Sequence, residues 1–144
     1  MAYIAAGITL LLVVIAIAQR VLFPASPSSV SPTQVIDALN QHGITCTETI
    51  VDTTGTLPEG EQFASCRTVT SISSDDRAGV STFSSEKVCL DSYAQTVALF
   101  QQGSQAPVWV LKNDQWYIMF GLDRVSAERA QQSLGGELSN IGRP

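Results

Sequence analysis

The stretch VWVLKNDQWYIMF, residues 108–120, decides the fold of the chain's soluble part. Two runs rich in β-branched and aromatic residues flank the polar segment Lys-Asn-Asp-Gln, which is typical of a β-hairpin with its turn centred on Asn113-Asp114. Because successive side chains of a strand point to opposite faces, the hairpin has two faces, and both are apolar. One face consists of Trp109, Leu111, Trp116 and Ile118. The other face consists of Val108, Val110, Tyr117 and Met119.

The second apolar face allows two interpretations. In an antiparallel sheet with one face in water, apolar residues alternate with polar ones, and this hairpin lacks that alternation. Either a helix covers the second face, or the face is an exposed patch that binds a protein partner. The candidate partner-binding residues are therefore Val108, Val110, Tyr117 and Met119.

The first helix of the soluble part has clear boundary signals. Ser31 is the predicted N-cap, Pro32 takes the first helical position, and Gln34 completes a capping box. Gly43 is expected to end the helix in a left-handed conformation. These signals predict a helix from Pro32 to His42.

The rest of the pattern predicts an α+β fold. The expected elements are strands over 45–51, 64–72 and 79–83, a helix that Ser84 or Ser85 caps and that ends by Gly103, and a last helix from Ser126 to Gly135-Gly136. Together with the hairpin, they give a small domain with a mostly antiparallel sheet and about three helices.

The N-terminus is predicted to be a membrane span over residues 1–23. From residue 3 to residue 23 the only charged side chain is Arg20, and 21 helical residues rise about 31 Å, which matches a hydrocarbon core of roughly 30 Å. Tyr3 is expected at one interface, and Arg20 extends to the headgroups at the other. The alternative is a signal peptide that is cleaved near Ala18, which would release a secreted soluble domain.

The predicted organisation places one folded unit outside the cytoplasm. A Pro/Ser linker over residues 24–32 separates the anchor from an α+β domain over residues 33–138, and residues 139–144 are expected to be a flexible tail. Taken alone, Arg20 favours a cytoplasmic domain by the positive-inside rule. The Ser-, Thr- and Gln-rich composition favours an extracytoplasmic one, and we expect that orientation at the cell membrane.

The three cysteines suggest one disulfide and one thiol. Cys46, Cys66 and Cys89 contain no C-x-x-C pair, so neither a zinc knuckle nor a thioredoxin-like motif is present. Cys46 and Cys66 lie in neighbouring predicted strands, and we expect them to form the bridge. Cys89 is then either a small buried hydrophobe, a thiolate activated at a helix N-terminus, or a partner for another cysteine.

Composition and motifs argue against several activities. The chain has 144 residues, with 8 Lys+Arg against 13 Asp+Glu and a net charge of −5, so we expect no nucleic-acid partner. The single histidine, His42, lies at a helix end, and Asp75-Asp76 fits a turn. Glu59 and Glu61 flank Gly60 without a fixed geometry. No catalytic residue, metal site or cofactor is predicted, and a phosphate loop, a dinucleotide fingerprint and a nucleophile elbow are all missing.

A set of short motifs resembles small, mostly uncharacterised proteins of actinobacteria that are secreted or anchored to the membrane. These motifs are Leu39 with Gly43-Ile44-Thr45-Cys46, then Cys66, Phe83-Ser84-Ser85 before a helix, Trp116 in a strand, and Ser133-Leu134-Gly135-Gly136. The resemblance covers residues 31–138 and implies an exported α+β module with a bridge like Cys46–Cys66. The chain departs from this family in two ways, since it has an apparent membrane span where many members carry a lipid-modified cysteine, and it adds Cys89.

The sequence therefore favours a single-pass, membrane-tethered binding or accessory module without catalysis. We expect a protein partner, and the module would also suit a subunit of a larger integral membrane complex. The alternative is an extracytoplasmic enzyme, either a hydrolase or a thiol oxidoreductase that uses Cys89.

Overall fold

The computed structural model describes residues 30–68, 77–103 and 106–142. The predicted anchor, with Tyr3 and Arg20, and most of the predicted linker lie outside the described residues. Within the described ranges, every helix is too short or too polar to cross a membrane.

The described residues form three helices and six strands. In chain order they are α1 (Pro32–Gln41), β1 (Cys46–Val51), β2 (Glu61–Thr68), β3 (Arg77–Phe83), α2 (Glu86–Gln102), β4 (Val108–Lys112), β5 (Trp116–Met119), α3 (Arg124–Leu134) and β6 (Glu137–Ile141). The strands form one sheet in the order β1-β2-β3-β5-β4-β6, and every neighbouring pair is antiparallel. The α+β class with an antiparallel sheet and three helices is confirmed.

Helix α1 begins as its sequence predicts. The Ser31 hydroxyl accepts a hydrogen bond from the Gln34 amide at 3.3 Å, and the Ser31 amide donates to Oε1 of Gln34 at 2.8 Å. After the C-cap His42, Gly43 has φ +76°, so it adopts the left-handed conformation that favours glycine.

The hairpin has the predicted faces but a slightly different turn. The Asn113 amide donates to the Trp116 carbonyl oxygen at 2.8 Å, and Leu111 pairs with Ile118, so the two-residue loop is Asp114-Gln115 rather than Asn113-Asp114. Moving the loop by one residue changes the pairing register by two. Because the side-chain period of a strand is two, the predicted division into two faces survives this error.

Two helices cover one face of the sheet. Helix α1 packs on β1, β2 and β3, while α3 packs on β4 and β6. The core between these layers contains Val35, Ile36, Leu39, Ile44, Cys46, Ala64, Cys66, Ala78, Val80, Leu111, Trp116, Ile118, Phe120, Ala127 and Ala130.

Helix α2 covers the opposite face, but it packs on β3, β5 and β6. A second core lies beneath it, where Val110 and Tyr117 are 0% and 3% exposed and Val108 and Met119 are half-buried. These four candidate partner-binding residues therefore lie in the core rather than on an exposed patch. Of the two interpretations of the second hairpin face, the structure has the one in which a helix covers it.

The C-terminal residues differ from the prediction. Residues 139–141 belong to β6, which pairs with β4 and buries Ile141, so the expectation that this segment frays is wrong. The segment contains Ser139 and Asn140 and is not rich in the β-branched and aromatic residues that mark a strand, and β6 is stabilised by pairing with β4. The N-cap of α3 also differs from the prediction, which placed it at Ser126. The N-cap is Asp123, whose Oδ1 accepts a hydrogen bond from the Ser126 amide at 3.0 Å.

The predicted disulfide between Cys46 and Cys66 is confirmed, with 5.4 Å between the two Cα atoms. Both cysteines are buried beneath α1, and the bridge joins the first residue of β1 to β2. Cys89 is free and buried on the other side of the sheet.

Candidate functional site

Helix coverage is uneven on the side of the sheet that carries α2. On that side, β1 and β2 carry a group that we call the open face. It consists of Ile50, Asp52, Phe63 and Ser65. Ile50 pairs with Ser65, and the Asp52 amide donates to the Phe63 carbonyl oxygen at 2.9 Å, so these residues oppose one another and share a face.

The open face exposes apolar side chains next to a cavity. Ile50 is 59% exposed, and Phe63 is half-buried. Val51, the next residue of the edge strand, is 45% exposed, but its side chain points to the opposite face of the sheet. A cavity of about 320 Å³ adjoins them. Its lining consists of Ile50, Val51, Asp52, Thr53, Thr54, Phe63 and Ser65. A protein surface of this kind is typical of a binding site for an apolar side chain.

A glycine in β3 allows the Phe63 ring to lie close to the sheet. A Cβ atom added at Gly79 would lie 3.1 Å from Cε2 of Phe63. The ring therefore rests against backbone that carries no side chain. This contact fixes the ring at the floor of the open face.

Asp52 gives the cavity a negative wall. Its Oδ1 accepts hydrogen bonds from the Thr54 amide at 2.8 Å and from the Thr54 hydroxyl at 2.7 Å. These bonds, first the one from the hydroxyl, lower the pKa of the Asp52 carboxyl below its ordinary value, so the group is ionised at neutral pH. Within the described part of the chain, Asp52 takes part in no salt bridge.

A β-bulge separates the open face from the start of β1. The pairing of β1 with β2 shifts between Thr47 and Ile50, and Glu48 has φ +51°. The Glu48 carboxylate lies 3.5 Å from Nη1 of Arg67 and 3.9 Å from Nη1 of Arg77. Bulges recur at sheet edges and beside functional sites, where they redirect side chains. Here the bulge turns a charged group toward one end of the open face.

The Cys89 thiol lies in a setting that keeps it protonated. The side chain is fully buried, and Sγ is 3.7 Å from the Asn113 carbonyl oxygen. Burial raises the pKa of the thiol to about 11, while Lys112 lowers it and nearby carboxylates raise it further. Desolvation thus outweighs any activation by the N-terminus of α2, which supports the interpretation of Cys89 as a small buried hydrophobe.

Two other polar candidates, Glu61 and His42, belong to different elements. Burial raises the pKa of the half-buried Glu61 carboxyl, which also accepts a hydrogen bond from Ser81. His42 remains at the end of α1, and Asp75-Asp76 lies outside the described residues. Among the residues that the structure describes, no group of three or more His, Cys, Asp or Glu side chains is arranged to hold a metal ion.

Sequence reasoning missed the open face. The segment Thr47 to Val51 has the composition of a strand, but nothing local says which strands a helix will cover. The available signal was the number of elements, because only three helices were predicted for a sheet that needs cover on two faces. Comparison of the chain with protein-family models, with curated proteins and with solved structures finds no match.

Proposed function

We propose that the chain is a non-catalytic binding module that residues 1–23 tether to the cell membrane and that captures a protein partner outside the cytoplasm. One observation carries the proposal, namely the exposed apolar side chain of Ile50 beside a cavity with an ionised wall. The module would act alone or as a subunit of a membrane complex. Its binding residues are those of the open face, not the buried hairpin residues.

The free energy of the apolar contact supports this choice of surface. Fully burying an aliphatic side chain contributes about 1.5–3 kcal/mol, and Ile50 is more than half exposed in the free domain. A partner that covers Ile50 gains this energy without unfolding any element. Covering Val110 or Tyr117 would first require α2 to leave the sheet.

The disulfide supports the proposed compartment. Disulfides persist in oxidising environments and are rare in the cytosol, and the Cys46–Cys66 bridge is buried. The tether rests on the sequence of the anchor and on its Pro/Ser linker. Protease protection in intact cells tests the orientation, since an extracytoplasmic domain is digested without lysis.

Site-specific photo-crosslinking in native membranes tests the binding surface. A photoreactive amino acid replaces Ile50 in one variant and Ala94, an exposed residue of α2, in the control. We expect a discrete crosslinked product from position 50 and none from position 94. Equal products from both positions, or a product from position 94 alone, would contradict the proposal.

A further inference from the structure

The outer edge of β1 is blocked at its first residue. The Cys46 amide donates to Oδ1 of Asn40 at 2.7 Å, and Nδ2 of Asn40 donates to the Cys46 carbonyl oxygen at 3.4 Å. The bulge at Glu48 follows directly. Side chains, bulges and charges of this kind protect the edges of natural sheets from added strands.

At the other end of β1, the outer edge pairs with no strand that the structure describes. The Asp52 amide bonds to the Phe63 carbonyl oxygen of β2, so Asp52 directs its backbone groups into the sheet. Successive residues of a strand direct their N–H and C=O groups to opposite sides. Val51 therefore directs its N–H and C=O groups to the outer edge, since β1 is the first strand of the sheet.

We propose that the open face takes its partner by β-strand addition, in which an extended segment pairs with Val51. This inference rests on the proposed function and names the form of the bound partner. Backbone hydrogen bonds to Val51 supply the pairing, and the adjoining cavity receives a side chain. The segment then becomes a seventh strand beside β1.

The side-chain positions define the chemistry of the added segment. The residue opposite Val51 points away from the open face, so the residues before and after it point onto that face. One lies beside Ile50 and the cavity, and its side chain is apolar. The other lies beside the ionised Asp52 carboxylate, and its side chain is Lys or Arg.

The order of these two residues follows from strand direction. Every neighbouring pair in this sheet is antiparallel, and we assign the same direction to the added segment, which then passes Asp52 before it reaches Ile50. Its sequence, from the N-terminus, is therefore basic, any residue, apolar. We assign the segment to another protein, because the chain's own charge of −5 opposes close approach of a second copy and favours a basic partner.

The first experiment uses the full chain in neutral detergent micelles and three synthetic peptides. The peptides are acetylated and amidated Thr-Lys-Thr-Ile-Thr, Thr-Glu-Thr-Ile-Thr and Thr-Ile-Thr-Lys-Thr. We expect millimolar Thr-Lys-Thr-Ile-Thr to shift the amide resonances of Ile50 and Val51 and to slow hydrogen exchange at Val51. The peptide with Glu should bind about threefold more weakly or worse, because its carboxylate faces Asp52. The peptide with reversed order should also bind more weakly.

The second experiment removes the edge donor without touching the sheet. Val51→Pro deletes an N–H that points outward, and proline is tolerated in edge strands at such positions. The matched control Val51→Thr keeps the N–H. We expect Val51→Pro to abolish peptide binding while the thermal unfolding midpoint and the disulfide are retained, and Val51→Thr to bind normally. If Val51→Pro unfolds, exchange protection of the Val51 amide in the unmodified chain decides the question by itself.

The third experiment removes the charge. Asp52→Asn keeps an oxygen for the Thr54 bonds and should lower the affinity for Thr-Lys-Thr-Ile-Thr about threefold, whereas Asp37→Asn on the exposed surface of α1 should leave it unchanged. Equal losses from both variants would mean non-specific attraction and would overturn the charge assignment. If the chain self-associates and the peptide does not dissociate the oligomer, the assignment of the segment to another protein is overturned.

The outcomes separate this inference from the proposed function. Suppose that a folded Val51→Pro variant binds the peptide normally and that position 50 still gives a crosslinked product. Strand addition is then overturned, while the open face remains the binding surface. Suppose instead that peptide binding depends on Val51 but that position 50 gives no crosslinked product in native membranes. The proposed function is then contradicted, while pairing of an extended segment with Val51 is supported.

Discussion

Burial controls the acidity of Cys89, and this has a consequence for stability at alkaline pH. The folded pKa is about 11 against an ordinary 9.0, so below pH 9 both the folded and the unfolded thiol keep their proton. Between pH 9 and 11 the unfolded thiol ionises and the folded one does not, which favours unfolding by about 1.4 kcal/mol per pH unit. We expect Cys89→Ala to remove this part of the alkaline loss of stability, as measured by urea unfolding at a series of pH values.

The alkylation rate of Cys89 checks the same assignment without a mutation. Iodoacetamide reacts with the thiolate, so the rate in the folded chain should rise with an apparent pKa near 11. A folded chain that reacts at pH 7.5 faster than the urea-unfolded chain would show that the thiol is accessible and acidic. That result would contradict the buried-hydrophobe interpretation and restore the thiol-based alternative.

Gly79 is another position at which one side chain decides the local structure. Gly79→Ala places a Cβ atom 3.1 Å from Cε2 of Phe63, so the ring must move or the strand must shift. We expect a loss of about 1 kcal/mol in the free energy of unfolding, at the low end of the cost of overpacking, because the ring has to give by only a small distance. The double variant with Phe63→Leu should recover most of this loss, as a double-mutant cycle by urea unfolding would measure. Additive losses would mean that the ring does not rest on β3.

At the scale of elements, helices with clear capping residues could be predicted from the sequence. Ser31, Pro32 and Gln34 place the start of α1 within one turn of backbone, and the structure has the same capping box. Helix α3 shows the limit of this reasoning, because Asp123 and Ser126 are both good caps. The buried Asp123 takes the role.

The capping box of α1 gives a measurable prediction. Ser31→Ala removes the acceptor for the Gln34 amide and should lower the free energy of unfolding by about 1 kcal/mol. Thr33→Ala serves as the control, since it removes the hydrogen bond between the Thr33 and Ser31 hydroxyls at 3.0 Å but keeps the acceptor for the Gln34 amide. Equal effects of the two substitutions in thermal or urea unfolding would show that the box does not stabilise the helix.

Strand patterns were less informative than helix caps. The hairpin faces were correct although its turn was misplaced by one residue, because the period of two tolerates a register change of two. β6 was missed because its five residues include Ser139 and Asn140, and its stability comes from pairing with β4. Such non-local pairing leaves no signature in a single segment.

At the scale of the whole molecule, the open face arises from an unequal distribution of helices. Within residues 30–68, 77–103 and 106–142, two helices cover one side of the six-stranded sheet, and one helix covers β3, β5 and β6 on the other. A sequence reading that counts helices cannot place them over particular strands, because the same amphipathic helix fits several positions. The candidate site therefore depends on the pairing of β1 with β2, which places Ile50 and Phe63 on the lining of one cavity.

The Cys46–Cys66 bridge determines whether this site persists. Cys46 is the only buried residue of β1, so the bridge and the ladder to β2 hold an otherwise exposed edge strand. Replacing both cysteines with alanine should cost about 3 kcal/mol, the chain-entropy value for a loop of this size, and should speed hydrogen exchange of the Asp52 amide more than that of the Val80 amide in β3. Cys89→Ala, which keeps the bridge, is the control and should not speed exchange at Asp52 selectively. If loss of the bridge raises the hydrogen-exchange rates of the Asp52 and Val80 amides by the same factor, the bridge stabilises the whole domain and β1 does not depend on it separately.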